Sequence, residues 1–213
     1  MVDAPEKTFA QKLDDQLRNT VISAQKAIRW FQDNLKLLAA TNANVLMARD
    51  RQRLLPTGSL QTKHIGRMIM FFYNPKYRET LPYFDRFPLV IIVKLVPGGF
   101  MGLNLHYLPI MYRQLIMTSL YTIYKTKHLD ENKKLQLNYD MLNKASTGRY
   151  IKPCIKRYLY TGNDKRGGGV TSRFYVVDPV EWDKIIALPV ERFEKKSAAQ
   201  VQQESMQKMG IFK

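Results

Sequence analysis

Cysteine, acidic side chains and long apolar runs are what this chain has least of. A single cysteine among 213 residues, Cys154, cannot form an internal disulfide, and three scattered histidines do not give it the spacing of a structural zinc site. A reduced, intracellular protein without metal or cofactor is therefore expected. The longest apolar stretch, Phe87 to Val96, is interrupted by Lys94 and falls far short of the roughly 20 residues that cross a bilayer. No membrane association is expected. The opening residues MVDAPEKTFAQ carry Asp3 and Glu6 and no apolar centre, which does not match a secretory signal. Only 18 acidic side chains stand against 34 basic ones, a net charge of +16 that calls for an anionic partner.

What is present is enough for a core. Hydrophobic residues make up 45%, with 12 Tyr and 10 Phe, so the chain is a folded body and not a disordered polycation. Leu17, Val21, Ala24, Ile28, Phe31, Leu35 and Leu38 advance in alternating steps of four and three. That spacing predicts a long N-terminal helix with one apolar seam. The seam either lies on the protein's own domain or meets another subunit. In the second case Leu17, Val21, Ile28, Phe31 and Leu35 bind the partner, another protein or a second copy of the chain.

Pro56, Gly58 and Gly66 then interrupt any period. The expected organisation is a helix over 1–48, a connector over 49–66, an α+β core domain over 67–190 and a helical tail over 191–213. Within the core, Met68–Tyr73, Leu89–Val96 and Phe100–Tyr107 read as strands, the last two joined by a turn at Pro97-Gly98-Gly99. A helix follows Pro109, and a second hairpin pairs Ile155–Tyr160 with Val170–Val177. A last short helix spans Val180–Ala187. The fold class expected is α+β: the long helix, a small antiparallel sheet or open barrel packed with helices, and the C-terminal tail as a further contact to partners.

The charge is uneven. Residues 125–173 carry twelve basic and four acidic side chains, half the net charge in 49 residues. A device for solubility would be spread out, so the concentration points to one phosphate-binding face. Its candidate residues are Lys152, Lys156, Arg157, Lys165, Arg166, Gly167, Gly168 and Arg173. Glycines beside Lys165 and Arg166 let backbone N–H groups approach phosphates, and Tyr150, Tyr158 or Tyr160 would stack on an unpaired base. No feature offers base-specific readout, so binding would be independent of sequence and sensitive to salt.

Catalysis is poorly supported. Glu181 and Asp183 are two residues apart on an expected helix and point about 200° apart, so they cannot share a metal. The phosphate-loop pattern is absent. His106 has an outward strand position and no partner cysteine nearby in sequence. The chain is not expected to be an enzyme.

The runs FFYNPKYRETLPYFDRFPLVI (71–91), GGFMGLNLHYLP (98–109), RYIKPCIKRYLY (149–160) and SRFYVVDPVEWDKIIALPVERFEK (172–195) resemble the DNA end protector proteins in the virions of large contractile-tailed bacteriophages. The resemblance implies a structural protein of the bacteriophage particle, present in host cytoplasm during assembly. It would sit on the end of the packaged double-stranded DNA near the portal and neck, and shield it sterically from exonuclease. The alternative is an architectural neck (head-tail connector), tail or baseplate component that binds virion proteins and not DNA.

Overall fold

The computed structural model describes residues 28–30, 32–34, 36, 38, 53–146, 151–160, 168–182 and 192–210. Its dominant element is a six-stranded antiparallel sheet in the order β1-β9-β2-β5-β6-β7. The strands are β1 (Leu54–Leu55), β2 (Met68–Met70), β5 (Leu89–Val96), β6 (Gly99–Asn104), β7 (Ile155–Leu159) and β9 (Phe174–Val177). Two short ribbons accompany it: β3 (Tyr73–Asn74) pairs with β8 (Gly169–Val170), and β4 (Phe84–Asp85) with β10 (Phe193–Glu194).

Apolar side chains line both faces. On one side Met68, Met70, Leu89, Ile91, Leu103 and Val177 meet the helices; on the other Ile69, Phe71, Val90, Ile92, Phe100, Tyr158 and Phe174 form a second cluster. Alternation along β2 and β5 assigns neighbours to opposite clusters. Burial on both faces explains why LVIIV reads as a continuous apolar run rather than an alternating one. Phe71 stands at the centre of the second cluster, edge-on to Phe100, Tyr158 and Phe174 at 5.1–5.7 Å. Such pairs each contribute about 1 kcal/mol beyond area burial.

Helices α1 (Ile110–Lys125), α2 (Glu131–Ser146) and α3 (Ala198–Lys208) pack on the sheet. Pro109 precedes α1, and Asp130 caps α2 by accepting the Lys133 N–H at 2.8 Å. Ser197 and Gln200 close a capping box at the start of α3. Ile116, Met117 and Leu120 are the buried apolar stripe of α1, whereas Leu115 is 61% exposed.

Several expectations need correction. A long N-terminal helix is not found among the described residues: those within 1–48, namely 28–30, 32–34, 36 and 38, are helical, and the rest of the segment lies outside the described residues. Here Trp30, Asn34 and Leu38 face the body, with Trp30 donating to Glu181 at 3.1 Å. The sheet is not a barrel, since β1 and β7 are edges that do not pair. Nor is the last segment a tail: Val201 and Met209 are fully buried in the main core. The expected hairpin of Ile155–Tyr160 with Val170–Val177 does not form, because β7 pairs with β6 while β9 pairs with β1 and β2. The third strand stops at Asn104, and Leu105–Tyr107 make a 3-10 turn.

Candidate nucleic-acid interface

Strand β7 carries Lys156 and Arg157 at the sheet edge, opposite Gly102 and Met101 of β6. Both cations line a cleft of about 350 Å³ together with Tyr73, Tyr83, Tyr107 and Lys208. The cleft is walled by the loop before β4, the turn after β6 and the end of α3. Its centre is a tilted pair of rings, Tyr83 and Tyr107, 6.0 Å apart. The Lys156 ammonium lies 4.3 Å from the Tyr107 ring centre, and those of Lys196 and Lys208 lie 4.6 and 5.9 Å from Tyr83.

Three ammonium groups on two aromatic rings are unequal in what they still need. Lys196 is ion-paired to Glu204, and that bond holds the Glu204 carboxyl below its usual range. Among the described residues, neither Lys156 nor Lys208 has a carboxylate at ion-pair distance. Burial, and after it the nearby charge of Lys208, lowers the pKa of Lys156, while Cys154 acts in the opposite direction. A half-buried ammonium without a counter-ion is costly unless an anion arrives. Burial and the Glu204 charge push the Tyr83 hydroxyl up to about 12, so it remains a neutral donor.

A buried polar network fixes the floor of the cleft. Asp85 is 3% exposed and accepts from the Phe87 N–H at 3.0 Å and the Asn104 amide at 2.9 Å, with His106 Nδ1 2.7 Å away. Asn104 also donates to the Tyr158 hydroxyl at 2.9 Å, and its own oxygen accepts the His106 N–H. These contacts tie β4, β6, β7 and the turn carrying Tyr107 into one unit. His106 is therefore fully buried and not at the outward position expected of it, because the face it was assigned to solvent is covered. Tyr158 is also a core residue, unavailable for stacking.

The sequence candidates are only partly brought together. Lys156 and Arg157 line the cleft, and Lys152 is exposed on the 3-10 turn Lys152–Cys154 just before β7. Arg173 is exposed in the link between β8 and β9, where its neighbour Ser172 accepts from Thr57. Gly168 has φ 130° and its backbone is pressed on Lys76, where a Cβ would come within 2.6 Å of the Cα. Its value is close packing. Lys165, Arg166 and Gly167 lie outside the described residues, as do Tyr150, Leu17, Val21, Phe31 and Leu35; Ile28 is 41% exposed.

Nor do the described cations of 125–173 all line one cleft. Lys125 and Lys134 lie over Tyr121 and Tyr124 at the α1–α2 corner. Lys134 lines a different cleft, which shares no residue with that of Lys156. Conversely, Lys196, Lys208, Tyr83 and Tyr107 were not legible as site residues. Their convergence depends on α3 docking beside β7, and no local pattern announces that.

No helix among the described residues is long and apolar enough to cross a membrane. No curated protein and no solved structure matches this chain. Residues 6–209, nearly its whole length, match the family described as Phage T4 terminal DNA protecting protein. The expectation drawn from the four quoted runs is met, and the chain belongs to that family of phage DNA-protecting proteins.

Proposed function

We propose that the protein binds the end of a packaged duplex through its phosphates, without reading sequence, and protects that end by occlusion rather than by chemistry. The observation that carries this reading is the pair Lys156 and Lys208, two cations with no carboxylate at ion-pair distance among the described residues, in a tyrosine-lined cleft at the sheet edge. Arg157 and the exposed Lys152 extend the positive strip along the same edge. Lys165, Arg166 and Arg173 are further phosphate contacts in this proposal. The family name supports DNA as the ligand and protection as the outcome.

Residence in the virion would bring other virion proteins into contact with the chain. The apolar side chains of Ile110, Met111 and Leu115, between 46% and 61% exposed on α1, support such contacts, as does exposed Ile28 on the N-terminal seam.

The test is exonuclease digestion of a linear duplex with and without protein. Wild type should slow digestion at low salt, and a circular duplex should compete less well than a linear one. Lys156→Ala with Lys208→Ala should lower the protective affinity about tenfold or more. Equal protection by wild type and the double variant, at unchanged fold, would remove this cleft from the reading.

A further inference from the structure

Among the described residues, five buried side-chain polar atoms find no hydrogen-bond partner, and three of them belong to residues that line one cleft of about 400 Å³. They are Arg67 Nε, Asn138 Oδ1 and Trp182 Nε1. The three come from separate parts of the fold: the start of β2, the middle of α2 and the turn after β9. Buried polar groups are nearly always satisfied, so three orphans on residues that share one cleft mark a place for a ligand.

The chemistry of the cleft narrows the ligand. Arg67 Nε–H and Trp182 Nε1–H are donors, and His64 is a third. Its Nδ1 accepts the Gln61 N–H at 2.8 Å, which leaves the ring proton on Nε2. Burial, with Arg67 and Lys63 nearby, lowers the pKa of that ring and favours its neutral form. Arg53 is already committed to Tyr175, Glu181 and Asp178. The Asn138 amide offers an acceptor and donors together, the combination that meets the edge of a nucleobase. Tyr124 and Trp182 stand 6.3 Å apart at 48° over an apolar floor of Leu55, Met68 and Val176.

We infer that this cleft binds a nucleoside monophosphate, its base edge on Asn138, its flat ring against Tyr124 and Trp182, and its phosphate on Arg67. The same chemistry is offered by a free mononucleotide and by the unpaired terminal nucleotide of a strand. The site shares no lining residue with the Lys156 cleft and does not rest on the proposal made for it.

Calorimetric titration of the full chain with dAMP, dCMP and inorganic phosphate tests the inference. Deoxynucleotides should bind at least tenfold more tightly than inorganic phosphate. Trp182→Phe, which keeps the ring and removes the N–H, should weaken dAMP about fivefold with an unchanged melting temperature, and Asn138→Leu should do the same. Neither variant should alter duplex binding through Lys156 and Lys208. A duplex with a one-nucleotide overhang that displaces dAMP identifies the strand end as the source; retention of dAMP identifies the free nucleotide. No binding of dAMP at millimolar concentration, affinity equal to that of phosphate, or full affinity in both variants would overturn the inference.

Discussion

Asp85 shows how much one buried side chain holds in place. Its two oxygens serve the Phe87 N–H, the Asn104 amide and the His106 ring, and each of these is buried with it. Asp85→Ala leaves three groups unsatisfied and should destabilise the protein by about 3 kcal/mol, lowering its melting temperature by roughly 10 °C. Lys156 works in the opposite sense. Burial lowers its pKa below the ordinary 10.5 of a lysine, so the charged form is disfavoured in the fold. Lys156→Met should therefore raise stability at neutral pH by about 1 kcal/mol while weakening duplex binding. Denaturant titrations and DNA binding on the same variant check both halves. The pH dependence has a definite sign. Between the lowered folded pKa and 10.5 the unfolded chain holds a proton that the folded chain has released, so Lys156 makes wild-type stability rise with pH there. Below that window its penalty is fully present. The difference between wild type and Lys156→Met should shrink as pH climbs through it.

At the scale of elements, the pairing of β6 with β7 positions the cleft, and one glycine permits it. A Cβ on Gly99 would lie 1.9 Å from the Tyr158 carbonyl oxygen, which is backbone and cannot yield. Gly99→Ala should separate the end of β7 from β6 and lower the melting temperature by 5 °C or more, with hydrogen exchange accelerated at Tyr158 to Tyr160. The strands themselves were legible: β5 and β6 with their turn follow from LVIIVKLV, Pro97 and two glycines. Their burial was not, because a run of apolar residues does not say whether one or two faces are covered. For that reason His106 is expected at an outward position, whereas it is fully buried. The partner of β7 was illegible too. Sequence adjacency favours the next strand, but β8 turns aside to pair with β3. The cleft was half legible: Lys156 and Arg157 stand out in a basic block, while Lys208 arrives from a helix over 50 residues away.

Over the described part of the molecule, cations line separate clefts, Arg53, Arg67 and Lys134 in one and Lys156, Arg157 and Lys208 in another. Local geometry, not total charge, then decides where a polyanion binds. Lys195 illustrates how a cation can be removed from that competition: its ammonium donates to the carbonyls of Arg78, Glu79 and Leu81 at 2.7–2.9 Å and holds a loop. Among the described residues, Lys156 and Lys208 have no such bonds. The most direct test of the account is the slope of log affinity against log salt for a linear duplex, measured on wild type and on the Lys156→Ala, Lys208→Ala double variant. Each phosphate contact contributes a slope of about 0.9, so the variant should lose roughly two units. An identical slope in both proteins, or an affinity that ignores salt, would contradict it.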